Sequence, residues 1–476
     1  PEIGIPEKLL NQQLDYSQPL PDPDLKNGKT VIYGRILGYD PTHGIALKFN
    51  CTDWLFFDVF GQSVPVVEDG SFRYETNMML PGEATLRVGR KRFELFLMPG
   101  GKLEVTINLP EIFWSESHLF GKKENGQLIW FEGTYAALNT ELVKHAGLMN
   151  IYSADNFYEN ICGVTPAQYK KYVTKIYEKN RGEILKNKSL SDAARTYMIN
   201  KLEMSYFFAI RGYKGNISYA PMISGKKGVK RADMTVDESY YDDILELDFI
   251  HSPYIRYGSY PDFVRAATED FKGKFEPQPV WEDILRAKPL GSTLARLKPL
   301  SEKQMLTLDS ISEPEIKKAL TVKNKEVMDL LAESANKTGY TVCQLDTAVT
   351  ADGLLAVVTR PYRGKVVLID MWNTWCGPCM RAMNSLKSVK EELKDVVYVY
   401  IADESSPEGK WKITIPDIHG IHYRITNEQS SALGKLYEYP GIPTYFVIDR
   451  EGKLSYKVTG FPGAEVMKEE LLKAGK

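Results

Sequence analysis

Along residues 102–109 the apolar residues Leu103, Val105, Ile107 and Leu109 alternate with polar ones. That period of two is the signature of a strand with one buried face. Similar short runs fall at residues 30–37, 54–60, 71–77, 84–89 and 92–98, with turn signals at Asp69-Gly70 and Pro99-Gly100-Gly101 between them. Strand runs with no helical period between them predict an antiparallel β-sandwich or small barrel over residues 29–125. Ahead of it, residues 1–28 are rich in Pro, Asp, Asn and Gln and read as a loosely held arm.

Between residues 126 and 338 the period becomes helical. Thr165-Pro166 is an N-cap followed by a first-turn proline. After it, Tyr169, Tyr172, Val173, Ile176, Tyr177, Ile184 and Leu185 share one helical face. Ser191-Asp192 opens a second helix, and further helices are expected at 240–250, 261–271, 301–308 and 315–331. The Gly, Lys and Ser of residues 213–237 predict a surface loop, and the Met and aromatic positions of the helices read as core. Residues 339–476 then alternate strands and helices. Residues 366–371 form a continuous apolar run of the kind buried on both faces. A helix, a strand at 396–401, a hairpin of 445–448 and 454–458 turning at 450–453, and a terminal helix at 464–473 complete an α/β pattern. The expected architecture is multidomain: an N-terminal antiparallel β-sandwich, a helical middle and a C-terminal α/β domain.

Composition narrows the function. The 476 residues are 43% hydrophobic and 26% charged, which is ordinary for a chain with real cores. Lys plus Arg number 60 against 62 Asp plus Glu, a net charge of −2. That leaves no large basic field for nucleic acid or acidic lipid headgroups. No apolar run approaches the ~20 residues that span a bilayer. The five cysteines are too few for a disulfide-stapled scaffold. Cys51, Cys162 and Cys343 are isolated and read as buried small hydrophobes. The first residue is Pro1 rather than Met, the expectation for a chain whose leader has been removed.

Cys376 and Cys379 form a C-x-x-C placed where a buried strand runs into a helix. Free amide N–H groups at a helix start favour a thiolate on Cys376, and the thiolate is the nucleophile of disulfide exchange. Gly377 and Pro378 allow the tight entry to the helix. The spacing lets Cys379 resolve a mixed disulfide on Cys376, so an exposed Cys376 and a shielded Cys379 are expected. Two alternatives are a structural disulfide and a zinc site, for which His419 and His422 are the local candidates.

Trp375-Cys376-Gly377-Pro378-Cys379 resembles the thioredoxin active-site motif. Gly441-Ile442-Pro443-Thr444, followed by an apolar run, is similar to that family's cis-proline loop. Residues 364–379 and 441–454 together look like the TlpA/ResA-like disulfide reductases tethered in bacterial envelopes. The resemblance covers about 135 residues and implies a C-terminal thioredoxin fold over residues 339–476. By the same resemblance, Asp370 is the proton acceptor for Cys379, Ile442–Pro443 is cis, and Trp375, Ile442 and Thr444 meet the substrate. It implies protein disulfides as substrates and a membrane electron donor. An envelope or periplasmic location and a lipid anchor on the removed leader are implied too. No cofactor or metal is expected.

There are departures. Members serving cytochrome c maturation carry C-x-x-E-x-P, where this chain has Ala382 and Asn384. Lacking that proline, the active-site helix is expected to be straighter. Residues 67–75, 97–106 and 131–142 resemble more weakly the multidomain members that place a β-sandwich and a helical spacer first. The Gly-Pro between the cysteines resembles reducing members. An oxidase or isomerase is the rival within enzymes, and a ligand-binding scaffold with an accessory redox domain is the rival outside them.

Overall fold

The computed structural model describes residues 4–43, 45–51, 54–56, 62–116, 126–229, 233–247 and 252–476. The chain divides into two compact units, one of residues 1–292 with 305–320 and one of 293–304 with 321–476.

The first unit holds eight described strands: β1 Gly28–Leu37, β2 Leu47–Cys51, β3 Gln62–Val64, β4 Ser71–Met78, β5 Gly82–Val88, β6 Lys91–Leu97, β7 Lys102–Asn108 and β8 Ile129–Gly133. They form two four-stranded sheets, ordered β4-β1-β7-β8 and β3-β2-β5-β6. Ile32, Phe49, Phe72, Leu86, Leu95, Val105 and Phe131 bring both sheets into one apolar core. The second sheet is antiparallel throughout. The first is mixed, because β1 runs parallel to β7, and this departs from the antiparallel expectation. A parallel pair needs a long crossover, which residues 38–101 supply while building the other strands. Gly34 lies at that pairing, where a Cβ would fall 1.8 Å from the Val105 carbonyl oxygen. Of the strand expected at 54–60, residues 54–56 form a bend and 57–60 lie outside the described residues.

The N-terminal arm is tethered rather than loose. Lys8 pairs with Glu132 at 2.9 Å, Gln12 Nε2 donates to the Phe131 carbonyl, and Lys26 N–H donates to the Met79 carbonyl. Helix Pro166–Lys186 starts with a full capping box between Thr165 and Gln168. Helix Asp192–Arg211 starts under the Ser191 hydroxyl. The expected loop at 213–237 opens instead with helix Tyr213–Ser224, which buries Tyr213, Ile217 and Ala220. Gly215 and Pro221 hid that spacing of four and three. Helix Pro279–Ala295 escaped the sequence reading because Pro289 lies inside it. The helix expected at 240–250 amounts to one turn, Asp242–Leu245, within the described residues. Cys51, Cys162 and Cys343 are half-buried rather than buried.

The second unit holds a six-stranded sheet of β9 Tyr340–Cys343, β10 Val367–Met371, β11 Val397–Asp403, β12 Gly420–Ile425, β13 Thr444–Ile448 and β14 Leu454–Thr459. Its order is β14-β13-β10-β11-β12-β9. Strands β10, β11, β12 and β9 pair in parallel, while β13 runs antiparallel to both of its neighbours, β10 and β14. Central β10 is buried along its whole length. Val367 and Ile369 enter one core, and Leu368 and Trp372 enter the core that also holds Cys376 and Cys379. By strand alternation Asp370 faces the same side as the cysteines. The active-site helix Gly377–Ser385 is interrupted at Leu386 and restarts as Lys387–Glu392. The straighter helix expected from Asn384 is not found: the helix breaks at Leu386, two residues further on. No helix among the described residues is long and apolar enough to cross a membrane.

Candidate active site

Pairing of β10 with β13 sets Met371 opposite Thr444. This brings two loops together, the one leaving β10 toward Cys376 and the one entering β13 through Pro443. Cys376 is the N-cap of the helix, and its sulfur accepts the backbone N–H of Cys379 at 3.2 Å. The two cysteines are joined in a disulfide. Cys376 is 3% exposed and Cys379 is fully buried. Both are buried, so Cys376 is not the exposed thiol expected, at least in this disulfide form. The carbonyl oxygen of Ile442 lies 3.9 Å from its sulfur and closes one approach.

The Ile442–Pro443 peptide bond is cis. Thr444, expected to meet substrate, is buried. Its hydroxyl donates to the Gly441 carbonyl at 2.7 Å and lies 3.0 Å from the Thr459 hydroxyl. Thr444 therefore holds the proline loop rather than facing outward. Trp375 is 47% exposed. Its indole N–H donates to the Ser405 hydroxyl at 2.9 Å, and Ser405 donates in turn to Asp403. Behind it the Ser406 hydroxyl accepts the Thr374 N–H at 3.0 Å and donates to the Asn373 side chain at 2.8 Å. Ser405, Ser406 and Asn373 were not singled out from the sequence, because a Ser-Ser pair in a loop carries no signal of what it braces.

Asp370 is 1% exposed, between its register partners Tyr400 and Tyr445 on the flanking strands. Neither carboxyl oxygen has a hydrogen-bond partner among the described residues. Burial raises its pKa far above the carboxylate range, to about 8, against the pull of the Lys390 cation. Lys390 moves the other way: burial lowers its amine to about 8, and Asp370 opposes that. Its Nζ donates to the Tyr400 hydroxyl at 2.9 Å and to the His419 carbonyl. His422, a candidate zinc ligand, is buried with a ring nitrogen 2.6 Å from the Ile418 carbonyl and its ring stacked on Tyr400. Burial lowers its pKa to about 4. Among the described residues, no three or more His, Cys, Asp and Glu side chains cluster to hold a metal ion.

A family model described as thioredoxin-like matches residues 364–454. The thiol-disulfide oxidoreductase ResA of Bacillus thuringiensis subsp. konkukian is 24% identical over 114 residues, which is 24% of this chain and 66% of that protein. The ResA of Geobacillus thermodenitrificans is 29% identical over 113 residues, 23% of this chain and 63% of its own. The thiol:disulfide interchange protein DsbE of Pseudomonas aeruginosa is 24% identical over 109 residues, covering 23% and 59%. The chain thus spans just under two thirds of the length of these curated relatives. Among solved structures, StoA from Bacillus subtilis aligns over 23% of this chain and 85% of that one, at 22% identity and a TM-score of 0.20. Residues 364–454 accordingly lie in a thioredoxin-like domain, and it is similar to the ResA proteins.

Proposed function

We propose that this chain is an extracytoplasmic thiol–disulfide oxidoreductase that reduces protein disulfides through Cys376 and Cys379. The observation that carries this reading is the surroundings of the Cys376 sulfur. It sits between the Cys379 N–H at 3.2 Å and the Ile442 carbonyl at 3.9 Å. A helix-start amide favours a thiolate there once the disulfide is reduced. The backbone of Ile442 supplies an edge against which an extended substrate adds as a strand.

In the reduced protein the Cys376 thiolate attacks a substrate disulfide. One substrate sulfur leaves as a thiolate, and the other is held in a mixed disulfide. Cys379 then loses its proton to the Asp370 carboxylate and attacks the Cys376 sulfur. The substrate leaves as a second thiolate, and Cys376–Cys379 is oxidised. Two electrons pass from the cysteine pair to the substrate, and solvent protonates the released thiolates. Trp375, braced by Ser405, and Ile442 form the substrate face, while Pro443 and Thr444 hold the loop that presents Ile442.

The reducing direction rests on the Gly-Pro between the cysteines. Envelope location, a membrane electron donor and a lipid anchor rest on the TlpA/ResA resemblance. In this reading the N-terminal arm, the two-sheet region of β1–β8 and the helices that follow it are a spacer or partner-binding surface for the thioredoxin-like domain. The test is insulin reduction by the full chain with dithiothreitol as donor. Turbidity should rise faster than with donor alone, and Cys376→Ser should abolish the gain. No gain with the intact chain would remove the reading.

A further inference from the structure

The loop that carries Ile442 toward the Cys376 sulfur is held from the neighbouring edge strand. Thr444 and Thr459 stand opposite each other in the pairing of β13 with β14, and β14 is the outer strand of the sheet. Their hydroxyl oxygens are 3.0 Å apart. One residue on, the Gly460 N–H donates to the Pro443 carbonyl at 2.8 Å. Two residues back, the Lys457 ammonium donates to the Tyr437 carbonyl, ahead of the loop. Strand β14 and the residue after it thus grip the chain on both sides of Gly441 and Ile442.

The order of donors follows from counting protons. Thr444 has one hydroxyl proton, and it goes to the Gly441 carbonyl at 2.7 Å. Thr459 is therefore the donor between the two hydroxyls, and Thr444 the acceptor. The result is a directed chain, from Thr459 to Thr444 to Gly441, that ends at the residue before Ile442. Each bond in such a chain polarises the next, so the Thr459 donor strengthens the hold of Thr444 on Gly441. Thr444 is fully buried, while Thr459 is exposed. By strand alternation Thr444 shares its side of the sheet with Phe446, and Tyr445 faces the core that holds the cysteines. The hydroxyl pair thus lies on the face away from the cysteines and acts on them only through the loop.

We propose that Thr459 is a positioning residue for protein substrates: its hydroxyl, acting through Thr444, fixes the backbone of Gly441 and Ile442 beside Cys376, the edge on which an extended substrate chain is seated. The inference rests on the dithiol reading above and deepens it, because it separates two classes of disulfide. A protein substrate uses both the Ile442 edge and the Cys376 sulfur. A small disulfide uses the sulfur alone. Thr459 therefore sets how tightly polypeptide disulfides are held, and no bond to it forms or breaks in the reaction.

The test compares the two classes in the full chain. With dithiothreitol saturating and insulin varied, Thr459→Val should raise KM by about fivefold, the scale of one net hydrogen bond, and leave kcat close to that of the wild type. Thr459 is exposed, so the variant is expected to fold. Thr459→Ser, which keeps the hydroxyl, should recover most of the loss. Release of the first thionitrobenzoate from Ellman's reagent by the reduced chain reports attack by Cys376 and should keep its wild-type rate in both variants. In a Thr444→Val background, Thr459→Val should raise KM no further, as for two groups in one chain of hydrogen bonds. A role in stability alone would lower the urea midpoint and leave KM in place. An unchanged insulin KM in Thr459→Val, a loss that Thr459→Ser does not recover, or an equal loss with Ellman's reagent would overturn the proposal. A wild-type chain that reacts with neither disulfide would instead remove the dithiol reading itself.

Discussion

The carbonyl oxygen of Ile442 stands 3.9 Å from the sulfur of Cys376, while Cys379 lies behind it with no exposed surface. One sulfur thus lies beside a backbone edge and a helix start, and the other lies deeper, one turn into the helix. Reduction should make the difference chemical. Iodoacetamide applied to the reduced chain just below neutral pH should modify Cys376 before Cys379, read by peptide mass spectrometry. Labelling of Cys379 first would reverse the roles assigned to the pair.

Asp370 links pH to stability with a definite sign. Its folded pKa of about 8 lies above the ordinary 3.8. Between those values the native state holds a proton that the unfolded chain has released, so stability falls as pH rises through that window. Asp370→Asn removes the buried titration. The variant should match the wild type below the window and gain on it progressively up to about pH 8. Urea unfolding of the oxidised chain at several pH values measures this, and a constant difference across the window would contradict the buried carboxyl. The same variant should slow resolution by about 100-fold, the scale of a lost general base.

Gly409 gives a purely steric prediction inside the C-terminal unit. A Cβ there would fall 1.9 Å from the Leu297 carbonyl oxygen, a backbone atom that a rotamer change cannot move. Gly409→Ala should destabilise this unit by about 1–3 kcal/mol, the usual cost of overpacking. It should leave the thiol reactivity of the folded protein unchanged. Chemical denaturation followed through the C-terminal tryptophans checks it, and an unchanged midpoint would mean that the segment carrying Leu297 packs elsewhere.

Much of the candidate site was legible because its chemistry is local in sequence. A C-x-x-C at a strand-to-helix junction, a buried-strand Asp six residues earlier and a Gly-Ile-Pro-Thr before an apolar strand each carry their own signal. The residues that brace them do not. Thr459 sits just past the strand expected at 454–458, and only the register of β13 against β14 sets it beside Thr444. Thr444 read as a substrate contact because it follows the proline, yet its hydroxyl is taken by Gly441 and Thr459. In the first unit, alternation located most strands to within two residues at each end. It could not show that β1 runs parallel to β7, because pairing direction depends on the path of the 64 residues between them rather than on either strand's pattern.

The central claim is that Cys376 attacks substrate and Cys379 resolves the product, and trapping tests it most directly. The full chain with Cys379→Ser should accumulate a mixed disulfide with an unfolded, oxidised protein substrate. That species should be joined through Cys376, visible by non-reducing electrophoresis and mass spectrometry and released by dithiothreitol. Cys376→Ser should trap nothing. A trapped species joined through another cysteine, or none with Cys379→Ser under conditions where the wild type reduces the same substrate, would contradict the account.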